Sequence, residues 1–417
     1  MAKNRFGIWL VGAYGGVATT TALGIACLKR GLVPCTGLVT DLELFRPLQL
    51  SRFDEIVIGG HDVRRVGFLQ AAGELQAKSG VFDEKLLRAC QGQFAEWDEN
   101  IRPGTVRGAG KTVAKLSSWN GSGERNSSAE IIARLGEDLC EFKTRHRLSH
   151  VVVINLASTE PPFNLDETHQ VWDRLSQAIR KKTAQVLPAS SMYAIAAISH
   201  GFSYVNFTPS LGATVPGIEE LATETKALYA GQDGKTGETL LKSVLAPMFH
   251  YRNLEVLSWV GHNIFGNRDG LVLDDPENKA SKLKTKDQVI AQILGYKPQT
   301  HVSIEYIESL DDWKTAWDHI HFRGFLGTKM ILQFTWQGCD SLLAAPLVID
   351  LARLTCYEWS RGGHGLMRHL ASFFKRPLGV ETHNLFEQWR LLQEYVAKCD
   401  QGSTARKQKG EVEQLNR

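Results

Sequence analysis

Residues 6–21 read FGIWLVGAYGGVATTT, an apolar run followed by a glycine-rich turn and a run of small residues. The apolar run predicts a buried strand, and the segment Val17–Leu28 predicts the helix that follows it. Glycines between a strand and a helix permit a tight turn and let the backbone approach a pyrophosphate at the helix N-terminus. The match to the GxGxxG pattern is incomplete, because Tyr14 stands where the second glycine would be. The turn therefore suits nucleotide binding and a purely structural connection equally well.

Further apolar runs extend the same pattern over the first two hundred residues. Residues 53–62 (FDEIVIGGHD) and 150–159 (HVVVINLAST) each predict a short buried strand. Residues 192–201 (MYAIAAISHG) suit a strand or a helix, since short apolar runs do not distinguish the two. Strands alternating with helices predict an α/β fold built on a parallel sheet.

The pattern changes after residue 253. Residues 302–309 (VSIEYIES) and 330–338 (MILQFTWQG) alternate as half-exposed strands do, and residues 311–322 (DDWKTAWDHIHF) between them have helical spacing. This predicts a second, α+β region. Two apolar helices are expected after it, over residues 340–354 and 365–374. The polar tail, residues 400–417, is expected to be disordered.

Composition limits the possible functions. The chain has 417 residues, 43% hydrophobic and 22% charged, with a net charge of +3, which argues against a dedicated nucleic-acid binder. No apolar run approaches the roughly 18 residues that a membrane span needs. The seven cysteines are scattered without a CxxC pair, so we expect reduced thiols in a cytoplasmic protein. No His, Cys or Asp cluster has metal-ligand spacing.

Two further stretches carry candidate chemistry. Residues 231–239 (GQDGKTGET) resemble a phosphate-binding loop, but Tyr229 stands where its first glycine is required, so an ATP site is rejected. Residues 279–286 (KASKLKTK) hold four lysines within eight positions. Like charges this close repel unless water or a bound anion screens them, so the stretch is either a solvated loop or an anion-binding segment.

Four long motifs together resemble the myo-inositol-1-phosphate synthase family, in its compact prokaryotic form. They occur in the family's order and spacing, and the resemblance extends from the glycine turn to about Lys375. The motifs are GQDGKTGETLLKSVLAPMF, SWVGHNIFGNRDG, KASKLKTK and QGCDSLLAAPLVIDL. The resemblance implies a Rossmann-like NAD-binding domain of residues 1–240, completed by residues 340–400. It also implies an inserted α+β catalytic and oligomerisation domain, residues 241–339, and a homotetramer.

The implied reaction converts D-glucose 6-phosphate to 1D-myo-inositol 3-phosphate with tightly held NAD. The C5 hydroxyl is oxidised, the ketone is enolised at C6, C6 attacks the C1 aldehyde, and the ketone is reduced again. The reaction is therefore redox-neutral overall. Whether a divalent metal or a monovalent cation assists is left open.

The resemblance also implies the reacting residues: Lys282, Lys286, Lys314, Lys375 and Asp340. Their chemistry follows from charge, because a phosphate dianion and developing oxyanions need fixed cations. We expect Lys282 to exchange the proton at O5, Lys286 to bind phosphate, and Lys314 and Lys375 to stabilise oxygen at C5 or C1. Without the resemblance to the family, Asp340 is explained as well by an N-cap as by a catalytic role. The lysines are then explained as well by exposure on the protein surface.

The implied NAD contacts are spread along the chain. They are Gly12, Tyr14, Gly15, Gly16, Val17, Asp62, Ala157, Ser158, Asp233, Thr236, Asn263, Asn267, Asp269 and Asp340. Two departures from the family affect this set. The glycine turn often has one more glycine in the family, and Ser158 stands where eukaryotic members have Asn.

Three other functions remain as alternatives. A related cyclase could make another cyclitol phosphate from a different sugar phosphate. A simple NAD-dependent sugar-phosphate dehydrogenase would release NADH. A non-catalytic NAD-sensing oligomer would bind NAD but leave glucose 6-phosphate unchanged.

Overall fold

Seven parallel strands form the larger of two sheets, and the apolar runs of the first 240 residues supply most of them. The computed structural model describes residues 5–119, 126–181, 186–267 and 289–415, with side chains to residue 401. The strands lie in the order β11-β6-β5-β4-β1-β2-β3. They are β1 (Phe6–Val11), β2 (Ile56–Asp62), β3 (Ile101–Pro103), β4 (Val151–Asn155), β5 (Ser203–Asn206), β6 (Leu228–Gly231) and β11 (Gly365–Leu366).

Helices connect and cover these strands. The ambiguous apolar segment around residue 195 is a fully buried helix, since its Ala-rich sequence packs between neighbouring elements. The helices are α1 (Gly16–Lys29), α2 (Phe68–Ser79), α3 (Glu84–Asp98), α4 (Lys111–Lys115), α5 (Ser128–Arg145), α6 (Trp172–Arg180), α7 (Ala189–Ile198), α8 (Pro216–Glu224), α9 (Gly237–Tyr251), α10 (Asp340–Ser360) and α11 (Leu385–Leu415).

The direction in which the sheet grows reverses between β1 and β4. The chain adds β2 and β3 on one side of β1, then crosses over to add β4, β5 and β6 on the other. This 3-2-1-4-5-6 order is that of the doubly wound dinucleotide-binding fold, which binds its ligand at the carboxyl ends of the strands beside the reversal. The predicted α/β, Rossmann-like fold class is confirmed.

The second sheet has four strands in the order β10-β9-β7-β8, with β7 and β8 parallel and the other pairs antiparallel. Its strands are β7 (Glu255–Phe265), β8 (Gln299–Tyr306), β9 (Trp313–Arg323) and β10 (Lys329–Cys339).

The helix predicted over residues 311–322 is wrong, because this segment is strand β9. Trp313 and Trp317 are four residues apart, a spacing that places side chains on one face of a helix and also on one face of a strand. Pairing with strands on both sides decides between the two.

The C-terminal quarter returns to the larger sheet. The helix expected over residues 365–374 is instead the short edge strand β11 followed by a 3-10 helix, Arg368–Phe373. Disorder was expected for residues 400–417, whereas the structure has helix α11 up to Leu415. Lys, Arg, Glu and Gln dominate this stretch, and these residues are good helix formers even where the composition is polar.

Two further features concern membranes and thiols. Among the residues described here, no helix is long and apolar enough to cross a membrane. All seven cysteines are free thiols.

A buried lysine connects helix α11 to the turn after β6. Lys235 is 4% exposed, and its Nζ donates a hydrogen bond to the Gln388 side-chain oxygen. Burial lowers the pKa of Lys235 to about 7, against about 10.4 for lysine in an unfolded chain. Between these values the unfolded chain binds more protons, so this group makes the free energy of unfolding rise with pH.

We predict that chemical denaturation at pH 7 and pH 9 will detect the lowered pKa of Lys235. The free energy of unfolding of the wild type, relative to that of Lys235→Met, should increase by about 2 kcal/mol over this interval. Other titrating groups cancel in the difference. A difference that stays constant with pH would contradict the assignment.

Candidate functional site

A cavity of about 350 Å³ lies at the carboxyl edge of the parallel sheet. The ends of β1, β2 and β4 form one wall, while β7, β9 and the start of α10 contribute the opposite wall. The cavity therefore lies where the strand order reverses, and it is bordered by residues of both sheets.

The glycine turn forms the floor of this cavity. Gly12 has φ of +80°, and a Cβ there would lie 3.0 Å from the Cα of Ala157. A Cβ on Gly16 would lie 2.6 Å from Ser341 Oγ, at the start of α10. Gly15 occupies the N-cap of α1 and makes no side-chain capping hydrogen bond. Such a helix end is suited to bind a pyrophosphate.

Asp62, at the end of β2, secures the turn. Its carboxylate oxygens accept hydrogen bonds from the backbone N–H groups of Tyr14 and Arg64, both at 2.7 Å. The Tyr14 side chain points away from the turn, and its hydroxyl donates to Asp98 Oδ1 at 3.1 Å while its ring packs against Phe68. A tyrosine is tolerated at a glycine position here because its side chain fills the space between α2 and α3.

A bound dinucleotide fits these features. The doubly wound fold uses three elements to bind NAD. They are the uncapped amide end of α1, the close approach between the glycine turn and the loop after β4, and the acidic residue that ends β2. The residues that would hold it line the cavity: Gly12, Tyr14, Gly15, Gly16, Val17, Asp62, Ala157 and Ser158.

An ion pair closes the opposite side of the cavity. Lys375 Nζ lies 2.9 Å from Asp233 Oδ1, and both side chains are largely buried. The Lys375 backbone N–H also donates to the Asp233 carbonyl at 2.6 Å, and Gly234 forms a β-bridge with Phe374. Lys375 is thus fixed in place through both its side chain and its backbone.

Another ammonium group lies at the start of helix α9. Thr236 is the N-cap and makes no side-chain capping hydrogen bond. A Cβ on Gly237 would lie 4.0 Å from Lys314 Nζ and 3.9 Å from Trp336 Nε1. The amide end of a helix and an ammonium group are therefore adjacent, and this combination favours a phosphate.

Asp340 is the first residue of α10, but it does not cap that helix. The capping carboxylate is Asp312, which accepts from the Ser341 backbone N–H at 2.9 Å and from its hydroxyl at 3.0 Å. Asp340 lines the cavity instead, with its Oδ2 at 3.5 Å from Asn267 Nδ2. The N-cap interpretation of Asp340 is wrong because Asp312 provides the cap.

The structure brings most of the predicted site residues to this one cavity. Besides the turn residues, Asp233, Thr236, Asn267, Lys314, Asp340 and Lys375 line it. Asn263 does not line the cavity: it is fully buried, because strand alternation points it towards Glu238 of α9. Lys282, Lys286 and Asp269 lie outside the described residues.

Sequence reasoning missed several polar residues of the cavity. Glu160 accepts hydrogen bonds from the Ser190 backbone N–H at 2.6 Å and from its hydroxyl at 2.5 Å, and burial raises the pKa of Glu160 to about 7. Burial also raises the pKa of Asp312. The sequence signal for Glu160 is its position as the acidic residue of the motif NLASTEPP, which begins at the end of a predicted buried strand.

Within the described ranges, no group of three or more His, Cys, Asp or Glu side chains is arranged to hold a metal ion.

Fold and cavity together define a dinucleotide-binding enzyme of the doubly wound α/β class, with a second sheet bordering its site. The profile of the NAD-binding family described as myo-inositol-1-phosphate synthase matches residues 6–397. The chain belongs to this family. An inositol-3-phosphate synthase 1 of Bacteroides thetaiotaomicron is 31% identical, over 94% of this chain and 95% of that protein.

Two solved structures are similar. The inositol-3-phosphate synthase of Caenorhabditis elegans has a TM-score of 0.83 at 24% identity, covering 94% of this chain and 85% of that one. A myo-inositol-1-phosphate synthase-related protein of Thermotoga maritima has a TM-score of 0.74 at 25% identity, covering 94% and 98%. The family, the fold class and the enzyme class predicted from the sequence are confirmed.

We predict that Gly12→Ala will weaken NAD binding by about tenfold or more. A Cβ there meets the backbone of Ala157, and a positive φ costs an L-residue roughly 1–2 kcal/mol. The matched control is Gly73→Ala in α2, where a Cβ meets nothing within 4 Å. Calorimetric titration of nucleotide-free protein with NAD measures both. Equal affinities in the two variants would contradict the assigned turn.

Proposed function

We propose that this protein is an NAD-dependent inositol-3-phosphate synthase that cyclises D-glucose 6-phosphate to 1D-myo-inositol 3-phosphate. The observation that carries the proposal is that two regions of one dinucleotide cavity each hold a lysine: Lys314 beside the amide end of α9, and Lys375 paired with Asp233. One region suits a phosphate, and the other suits the oxygen of a reacting sugar. A simple hydride-transfer site needs no second region of this kind.

The phosphate of the substrate binds at the first turn of α9. The support is the uncapped helix end at Thr236, with the indole N–H of Trp336 and Lys314 beside Gly237. Lys314, expected from the resemblance at the oxygen of C5 or C1, is proposed here as a phosphate ligand because its Nζ lies beside this helix end. Lys286, outside the described residues, adds a further cation in this proposal. A dianion is bound best by a helix N-terminus combined with ammonium groups, since both charges and N–H donors are then satisfied.

The reacting oxygens lie near Lys375. Its pairing with Asp233 at 2.9 Å favours the charged form of the amine and fixes its direction. A fixed ammonium donates a hydrogen bond to an oxygen that becomes negative during enolisation and ring closure. Lys282 is the proposed proton acceptor and donor at O5. The chemistry that NAD would supply when bound at the glycine turn is reversible hydride transfer with the substrate.

The family assignment favours the cyclase over an NAD-dependent sugar-phosphate dehydrogenase. A cyclase acting on another sugar phosphate would use the same two regions, so the proposed substrate rests on the family. An NAD sensor is disfavoured, because it would have no reason to hold cations around a cavity large enough for a sugar phosphate.

The proposed assembly is a homotetramer in the cytoplasm. Residues 1–240 and 340–400 form the NAD-binding part, and residues 241–339 form the part that joins subunits. The support is an exposed apolar surface on the second sheet. Its most exposed side chains are Phe325 at 88%, Leu326 at 87%, Ile331 at 60% and Trp317 at 40%.

We predict that wild-type protein, given glucose 6-phosphate and catalytic NAD, will form an inositol phosphate without net NADH. Phosphorus NMR identifies the product, and absorbance of reduced nicotinamide is recorded at the same time. Reduction of the added NAD to NADH, with oxidised sugar phosphate formed only up to the amount of that NAD and no inositol phosphate, would contradict the cyclase and support the dehydrogenase.

We predict that Lys314→Met will lower kcat/KM by about 10²–10³, because one positioned cation is lost from the site. Lys85→Met on α3 is the matched control, since that lysine is exposed. Steady-state rates with glucose 6-phosphate measure both variants. A wild-type kcat/KM for Lys314→Met would contradict the placement of Lys314 in the site.

We predict that the wild type will have four times the mass of one chain in light scattering, and that Trp317→Glu will lower this mass. A charge buried at an apolar subunit contact costs several kcal/mol. Leu42→Glu introduces the same charge at another exposed apolar residue, 50% exposed, and should leave the assembly intact. A wild-type monomer would contradict the tetramer.

A further inference from the structure

A fully buried ion pair lies behind the first turn of helix α9. Glu238 and Lys242 are each 1% exposed, and Glu238 Oε1 lies 2.6 Å from Lys242 Nζ. The two residues are one helical turn apart, so they share a face of α9. Burying two charges is costly unless they are paired and hydrogen-bonded, so this pair needs a reason beyond packing.

The pair connects α9 to the second sheet. Glu238 Oε2 accepts a hydrogen bond from Asn263 Nδ2 of β7 at 2.8 Å. A Cβ on Gly261 would lie 2.5 Å from Glu238 Oε1 and 3.2 Å from Asp318 Oδ1, so two carboxylates approach this strand at a glycine. Asp318 also accepts from Trp259 Nε1 at 2.7 Å. Through Glu238, the start of α9 is held at a fixed place against the sheet that carries Lys314.

This anchor brings a negative charge close to the proposed phosphate site. Glu238 is the second residue of α9, directly after Gly237, and it lines the cavity. A bare carboxylate in that place would repel a phosphate dianion. At an effective dielectric constant of about 20, two unit charges roughly 7 Å apart interact by about 2 kcal/mol, so the repulsion would be felt.

We infer that Lys242 is a positioning residue that neutralises Glu238, so that the first turn of α9 can be anchored by a carboxylate and still bind the substrate phosphate. This inference rests on the proposed function. Lys242 acts through Glu238 and lies on the far side of it from the helix end, one turn further along α9. Asn263, expected to contact NAD, is in this account part of the same anchor.

The experiment compares three variants by the KM for glucose 6-phosphate and by competitive inhibition with inorganic phosphate. Lys242→Met leaves the carboxylate uncompensated, and we expect KM and the inhibition constant to rise about tenfold or more. Glu238→Gln keeps an acceptor for Asn263 and leaves a cation behind beside the phosphate site, so both constants should fall below the wild-type values. The double variant Glu238→Gln/Lys242→Met should return both constants close to the wild-type values.

Three outcomes would overturn the inference. The first is a rise in KM of similar size for Glu238→Gln and Lys242→Met, which is the result of a merely structural pair. The second is a double variant as impaired as Lys242→Met, and the third is a loss of NAD affinity that parallels the change in KM. If Lys242→Met does not fold, Glu238→Gln still decides the matter: a KM for this variant above those of the wild type and the double variant would overturn the inference. A wild type that binds phosphate but does not turn over glucose 6-phosphate would refute the proposed function instead.

Discussion

The ion pair between Lys375 and Asp233 is the interaction on which the site depends. It joins residues 142 positions apart, and the backbone hydrogen bonds around it fasten the segment after the 3-10 helix to the turn after β6. This attachment holds Lys375 at the cavity. The chain therefore leaves the parallel sheet after β6, builds the second sheet, and returns after β10 to complete the cavity.

The arrangement of charge follows from what such a cavity must hold. Helix α1 presents an uncapped amide end on one side, and helix α9 presents another beside Lys314. Negative residues are needed to fix these elements, and each is satisfied locally. Asp62 accepts from backbone amides, Asp233 pairs with a lysine, and Glu238 pairs with another. These three carboxylates thus hold the framework of the cavity in place.

Much of this could be predicted from the sequence, because the deciding signals are local. The apolar strands β1, β2 and β4 and the glycine turn were readable as runs and spacings, and long motifs carried the family. Where a pattern fits two structures, only tertiary contacts decide: Trp313 and Trp317 suit a helix and a strand alike. Likewise, no spacing in the sequence indicates that Asp312 caps α10 or that Asn263 points towards Glu238. These depend on which distant elements meet.

The most direct test of the account is a double-mutant cycle on the ion pair, measured as kcat/KM for glucose 6-phosphate. Asp233→Asn and Lys375→Met should each lower this value by about 10²–10³, since either removes the fixed ammonium from the reacting oxygen. The double variant should lose no more than the more impaired single variant, because the two residues act as one unit. Losses that multiply, or a single variant with wild-type activity, would contradict the account.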